Sequence, residues 1–243
     1  MDTSVSEVAE RVYRLSTCIP EAAPGGFTFN QFLIDADEPM LFHCGMRALF
    51  PLVSEAAKRV MPLERLRWIS FGHVEADESG ALNQWLEAAP NAVVVHGQRG
   101  CDVSIRDLSA RPPRGLEDGA TLDLGGRRVR LVLTPHVPHN WESIVWHEEV
   151  TGTLLCGDIV TSAGNGPACV STDIVGHALQ AEKMFGAWSG GPDALPTLQR
   201  LATLAPKTLA AMHGSSFVGD CARALTDLAA GLGELFLERG EAR

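Results

Sequence analysis

Trp68-Ile69-Ser70-Phe71-Gly72-His73-Val74-Glu75-Ala76-Asp77-Glu78-Ser79-Gly80-Ala81-Leu82 is the stretch that decides how this chain is read. The apolar run from Trp68 to Phe71 has the length and composition of a short buried strand, and Gly72 ends it. His73, Glu75 and Asp77 then recur at every second position. In extended backbone such residues point to one side. One imidazole and two carboxylates are therefore expected to converge, with Glu78 beside them. Ser79 is placed to cap a helix through Trp85 and Leu86. Acidic groups also suit the positive end of a helix dipole. A solvated acidic loop with a chance histidine would look the same in isolation. A polar cluster between a buried strand and a helix start is nonetheless hard to explain by packing, and its side chains are metal donors.

The rest of the chain frames that cluster. Its 243 residues, 45% of them hydrophobic, suffice for one large domain. No Gly/Ser tract, charge block or low-complexity run breaks it, so residues 1–243 are read as a single domain. The net charge of −10 and pI of about 5.2 argue against nucleic acid and anionic membranes as partners. No apolar run reaches transmembrane length. The start, Met1-Asp2-Thr3-Ser4-Val5-Ser6-Glu7, is acidic and unlike a signal peptide. Six cysteines, at 18, 44, 101, 156, 169 and 221, form no CxxC pair. Reduced thiols in a cytoplasmic protein are the expectation.

Taken in order, residues 8–15, 28–34 and 40–43 read as strands, with Asp35-Ala36-Asp37-Glu38-Pro39 a turn between the last two. Residues 47–60 have helical periodicity. The central strand, polar loop and helix follow, then a buried strand at 92–95 ending in His96-Gly97. A second half opens with a hairpin, 121–124 and 128–134, around Gly125-Gly126. Strands are expected at 143–147, 153–156 and 208–212, a long loop at 161–172, and helices at 178–188, 195–204 and 223–237. Each half runs strands first, then helix and strand. Two sheets packed face to face with helices outside would cover every apolar face.

Three further polar residues directly follow buried strands, a position where sites rest on rigid supports. They are His139 in Thr134-Pro135-His136-Val137-Pro138-His139-Asn140-Trp141-Glu142-Ser143, Asp158 in Leu154-Leu155-Cys156-Gly157-Asp158, and His213 in Ala210-Ala211-Met212-His213-Gly214. Alone, each would be an ordinary surface histidine or turn aspartate.

The ordered set His73-x-Glu75-x-Asp77, His139, Asp158 and His213 resembles the metallo-β-lactamase superfamily, and more narrowly its flavodiiron, oxygen-binding diiron branch. The superfamily's usual loop is HxHxDH; that branch has glutamate where Glu75 stands. The resemblance runs from Phe29-Asn30-Gln31-Phe32-Leu33-Ile34 to His213-Gly214. It implies an α/β fold, the four-layer αββα sandwich, with the site at the edge between the sheets. It also implies one metal on His73, Glu75 and His139, a second on Asp77 and His213, and Asp158 bridging. Asp77 and Asp158 are then the carboxylates expected to act in the chemistry. His139 is preferred to His136 because His139-Asn140-Trp141-Glu142-Ser143-Ile144 matches the family's segment after that ligand; His136 would support it from behind.

Two departures stand out. Glu78 occupies the place of a family histidine and is expected as a ligand of the second metal, directly or through water. No flavodoxin-like module follows His213, so no flavin is expected in this chain. His43, beside Cys44 where superfamily members carry a supporting aspartate, is expected behind the ligands. His177 is a candidate pocket residue, His147 an exposed hairpin residue, and His96 a strand end.

Three imidazoles and four carboxylates favour iron, with manganese and zinc as alternatives, because oxygen donors suit zinc less well. The expected function is a dinuclear protein that binds, senses or reduces O₂ or NO, with electrons from a separate donor or signalling protein, and dimerisation plausible for the branch. The competing reading is a two-metal hydrolase of a thioester, lactone or phosphoester.

Overall fold

Alternation along β3 (Phe27–Ile34) sets up the layers of the chain, whose computed structural model describes residues 1–240. Successive side chains of a strand face opposite ways. Leu33 packs with Leu41, Ile69, Val53 and Trp85 on one side. Phe32 and Ile34 pack with Phe42, Trp68, Leu131 and Trp146 on the other. The first group lies between sheet and helices, the second between two sheets.

The first sheet takes its strands in chain order: β1 (Thr3–Ala9), β2 (Val12–Ile19), β3, β4 (Met40–Phe42), β5 (Trp68–Ser70), β6 (Val93–Gly97) and β7 (Arg114–Leu116). Its first four strands are antiparallel and its last four parallel. The second sheet is built from β8 (Thr121–Asp123), β9 (Arg128–Leu133), β10 (Ile144–Glu148), β11 (Thr153–Gly157), β12 (Cys169–Val170), β13 (Thr208–Ala211) and β14 (Ser216–Val218). Its spatial order is β12-β14-β13-β11-β10-β9-β8. Helices α1 (Phe50–Lys58), α2 (Ala76–Ser79), α3 (Leu82–Ala88), α4 (Gln98–Gly100) and α5 (Arg106–Leu108) accompany the first sheet. Helices α6 (Ile174–Phe185), α7 (Ala194–Ala202) and α8 (Cys221–Arg239) cover the second with a separate apolar cluster. The result is the expected αββα sandwich, with one apolar cluster at each of its three interfaces.

Polar contacts register the two sheets at one edge. Trp146 Nε1 donates to Ser70 Oγ across the interface at 2.9 Å. Asn30 Nδ2 donates to the carbonyls of Ala211 and Gly214 at 2.8 and 2.9 Å, and Asn30 N donates to Met212 O at 2.9 Å. Gly214 N donates to Thr28 Oγ1 at 2.7 Å. Ile144 N donates to Gly72 O at 2.8 Å, tying the polar loop after β5 to the second sheet.

Three local expectations change. Residues 8–15 are not one strand: the chain reverses at Glu10-Arg11, where Arg11 takes a left-handed φ of 57° and Ala9 pairs with Val12. Neither turn residue is the Gly, Asn or Pro that marks such a turn in sequence. Ser79 does not cap a helix. The helix begins three residues earlier, and Ser79 Oγ donates back to Glu75 O at 2.8 Å from inside it. The helical stretch from α4 to α5, with a π-helical turn at Cys101–Ile105, and the short strands β7, β12 and β14 were not expected. Among the described residues all six cysteines are unpaired, and no helix is long and apolar enough to cross a membrane.

Asn30 is fully buried, and its amide serves two carbonyls of the opposite sheet. Asn30→Ala strands both, and the loss of stability is expected at about 1–3 kcal/mol. A urea midpoint that does not move would show that the seam is held elsewhere.

Candidate metal centre

Four strand ends deliver the polar side chains to one rim. The segment after β5 brings His73, Glu75 and Asp77; the β9–β10 connection brings His139; the ends of β11 and β13 bring Asp158 and His213. The β9–β10 connection is braced by its own hydrogen bonds: His136 N to Asn140 O at 2.8 Å and Ser143 Oγ to Asn140 O at 2.9 Å. Glu142 Oε1 accepts from Val74 N at 2.9 Å and so locks this connection to the His73 segment.

His73 Nε2 lies 2.8 Å from Glu75 Oε2 and 2.9 Å from His139 Nε2. His139 Nε2 is 3.3 Å from Glu75 Oε2 and 3.5 Å from Asp158 Oδ2, and His73 Nε2 is 3.8 Å from that same oxygen. Donor atoms of His73, Glu75, His139 and Asp158 all fall within 4.8 Å of one another. The other oxygen of Asp158, Oδ1, faces His213 Nε2 at 3.3 Å, and His213 Nε2 also faces Asp77 Oδ2 at 3.3 Å. Six of the seven expected residues thus form two groups that share Asp158, one oxygen turned to each.

The imidazoles are held from behind. A carbonyl only accepts, so the ring nitrogen facing one carries the proton. His139 Nδ1 donates to Ala187 O at 3.0 Å, and His213 Nδ1 to Thr28 O at 2.8 Å. Both rings therefore present Nε2 to the centre. Phe27 stacks on the His213 ring with centroids 4.2 Å apart, and Phe29 meets it edge-on.

Charge is concentrated here. His73 is pushed up to about 10: burial opposes this, but Glu78, Glu75 and Asp158 outweigh it. His213 also rises to about 10, with burial overcome by Asp158 and Asp77. Glu75 falls to about 2 through the hydrogen bonds of His139 and His73. Asp158 is held below the usual carboxylate range, burial being outweighed by His213 and the other two imidazoles. Without a cation, protons must do the work of holding these acids and imidazoles together. The two facing Nε2 atoms and the buried Asp158 Oδ1, which has no hydrogen-bond partner, are what a cation between them would satisfy. The residues present fit a two-metal centre.

Glu78 requires correction. Its carboxylate does not face Asp77 or His213. It is fully buried behind His73, accepts from His73 N at 2.7 Å, and lies 3.3 Å from His43 Nδ1. The cause is the early helix start: with Ala76–Ser79 helical, Asp77 and Glu78 diverge around the axis instead of sharing a rim. His136 is exposed and engages Ser189 only through its carbonyl, so it does not support His139. His43 is buried behind the site as expected. His177 is exposed and lines a separate hollow with Pro24 and Met184. His147 is half-buried on β10, and His96 is fully buried at the end of β6.

A cavity of about 340 Å³ opens over the donors. Its walls are mostly apolar, including Phe27, Phe29, Ile159, Phe185 and Trp188. Phe185 and Trp188 went unnoticed in the sequence because an aromatic near the end of an amphipathic helix reads as core.

The αββα sandwich, with its cluster of imidazoles and carboxylates on one rim, is a metallo-β-lactamase fold. The chain belongs to the family described as "ODP family beta lactamase", whose model matches residues 27–214. A Nostoc sp. protein with the provisional name diflavin flavoprotein A 1 is 27% identical over 198 residues, covering 78% of this chain and 33% of that protein. The chain thus spans 33% and 23% of the length of the first two curated relatives it matches. Among solved structures, the metal-soaked flavodiiron core of a Synechocystis sp. protein superposes with a TM-score of 0.84 at 18% identity, covering 96% of this chain and 61% of that one. The rubredoxin oxygen:oxidoreductase of Desulfovibrio gigas superposes with a TM-score of 0.81 at 17% identity, covering 93% and 62%. At these identities the likeness establishes the fold.

The charge pattern sets a pH dependence for metal-free protein. His73 and His213 have folded values raised above the unfolded histidine value of about 6.5. Their stabilisation is complete below that value and is lost as pH rises through about 10. Glu75 acts oppositely: its contribution is present above about 4.3 and is lost as pH falls through about 2. Chelator-treated protein should therefore melt at progressively lower temperature as pH is raised from neutral toward about 10, while metal affinity climbs because the ligands shed protons. A melting temperature flat over that range would contradict the paired-charge description.

Proposed function

We propose that this chain is a diiron core that binds O₂ or NO and reduces it with electrons supplied from outside these residues. The observation that carries the reading is the donor arrangement. Three imidazoles and three carboxylates form two sets, with Asp158 presenting one oxygen to each. In this reading His73, Glu75 and His139 hold one metal, Asp77 and His213 the other, and Asp158 spans both. Iron is favoured because half the donors are carboxylates, whereas zinc sites draw mainly on nitrogen and sulfur. Bound iron would supply the redox chemistry. The protein's part is to orient the donors, keep Nδ1 of His139 and His213 tied to carbonyls, and exclude water with Phe27, Phe29, Phe185 and Trp188.

An apolar chamber of this kind favours a small neutral oxidant. No Lys or Arg lines it among the described residues, so a phosphoester would find no lysine or arginine to bind its charge away from the metals. The named relatives support the reading: one solved neighbour is an oxygen:oxidoreductase named for rubredoxin, and another is a flavodiiron core. A flavin or other carrier on a separate protein or a further segment would deliver the electrons.

Protein made in iron-replete and in zinc-replete medium separates the readings. Two irons per chain and sustained O₂ or NO consumption with an added reductase are expected. Two zincs with ester turnover, and no oxidant consumption when iron is supplied, would replace this proposal with the hydrolase. Reversible O₂ binding without turnover would instead make the chain a sensor. His139→Ala should lose at least one metal, and His136→Ala should retain both. Full metal content in purified His139→Ala would refute the assigned donor set.

A further inference from the structure

Three imidazoles face the centre, and they are backed unequally. His139 and His213 each rest on a neutral carbonyl, of Ala187 and Thr28. Behind His73 stands a buried carboxylate. Glu78 Oε1 is 3.4 Å from His73 Nδ1 and has no hydrogen-bond partner of its own. Glu78 Oε2 accepts from His73 N at 2.7 Å and lies 3.3 Å from His43 Nδ1.

The surroundings are built to admit this carboxylate. Gly72 leaves the space: a Cβ there would lie 2.9 Å from Glu78 Oε2 and 3.1 Å from Oε1. Cys44 N donates to Glu78 O at 2.5 Å, and Trp85 Nε1 to Cys44 O at 2.8 Å, which fixes the main chain on both sides. His43 takes a left-handed φ of 68°, uncommon outside glycine. Glu78 and His43 have no exposed surface. A buried carboxylate without donors is costly, and the donors within reach are His73 N, His73 Nδ1 and His43 Nδ1.

We infer that Glu78 is a positioning residue that holds His73 as its Nδ1–H form, aims Nε2 at the metal, and makes the two metals electronically inequivalent. The inference rests on the proposed diiron reading. A carboxylate behind a ligating imidazole increases the electron donation of that ring, whereas a carbonyl does so less. The metal on His73, Glu75 and His139 is then the harder of the two to reduce. His43 shares the negative charge of Glu78 and moderates its effect on His73.

The test compares wild type, Glu78→Gln and His43→Leu in full-length protein. Glu78→Gln keeps the shape and the contact to His73 N but removes the charge. It should retain two metals, weaken one by about 10–100-fold in chelator competition, and raise one reduction potential while leaving the other in place. His43→Leu should move that same potential downward, because Glu78 then bears on His73 alone. Loss of packing would not give opposite signs. Unchanged affinities and potentials in both variants, or shifts of the same sign, overturn the inference. Should Glu78→Gln fold poorly, Gly72→Ala displaces the carboxylate sterically and should reproduce the upward shift; a potential equal to that of the wild type overturns the inference. A wild type that takes up no metal defeats the diiron reading instead. The role of Glu78 is then decided in metal-free protein by the His73 Nδ1–H resonance. That proton should be protected from solvent exchange in wild type and exchange faster in Glu78→Ala, which removes the acceptor; equal exchange refutes the role.

Discussion

One largely buried carboxylate, that of Asp158, imposes the arrangement of everything around it. Its two oxygens face imidazoles that come from both sheets: His73 and His139 on Oδ2, His213 on Oδ1. Gly157 ends β11 with a positive φ of 53°, a conformation that turns the next side chain out of the sheet into the rim. Taking a charge out of water is repaid only by close partners of opposite sign. Those partners sit on segments far apart in the chain. His139 and His213 come from the sheet that carries Asp158, and His73 joins them only when the two sheets are docked in their final register.

That dependence runs in both directions. Thr28, which accepts from His213 Nδ1, also accepts from Gly214 N, and Asn30 holds Ala211 and Gly214 from the same strand. The hydrogen bonds that orient an imidazole are thus also the ones that fasten sheet to sheet. Ala187, which accepts from His139, lies past the end of α6, so the outer layer joins the support as well. A centre assembled this way tolerates little independent movement of its donors, which suits chemistry that needs fixed distances.

Much of this was legible in the sequence for identifiable reasons. Strand-then-polar-residue junctions at Gly72-His73, Gly157-Asp158 and Met212-His213 mark one rim; β11 and β13 run parallel, so Asp158 and His213 follow strands that end on the same side of their sheet. The Gly125-Gly126 hairpin was readable because two positive φ angles demand such residues. The turn at Arg11 was hidden, since it uses a residue with no turn preference. The position of Glu78 was misjudged for a sharper reason. Two-residue spacing means convergence only while the backbone stays extended, and the helix begins at Ala76, so the rule expires between Glu75 and Asp77. Asp77 still reaches the rim from the first helical turn, whereas its neighbour is rotated about 100° around the axis, into the core. No local signal in Ala76-Asp77-Glu78-Ser79 distinguishes those two outcomes. The decisive partner, His43, is remote in sequence.

Moving Glu78 from the rim to the interior leaves the charge argument for the centre largely standing. Three carboxylates touch the donor cluster directly, and a fourth lies 3.4 Å behind His73. Two divalent ions would carry four positive charges, matched by Glu75, Asp77, Asp158 and Glu78 together. An interior carboxylate is screened by no water, so its field would reach a metal bound at His73 with less loss than an exposed group's would. What changes is the distribution. A fourth charge placed as a ligand beside Asp77 and His213 would have stabilised the second metal; placed behind His73 it favours the first. In the proposed diiron reading, the departure from the family's loop at this position would therefore leave the total charge around the pair unchanged and shift the balance between its members.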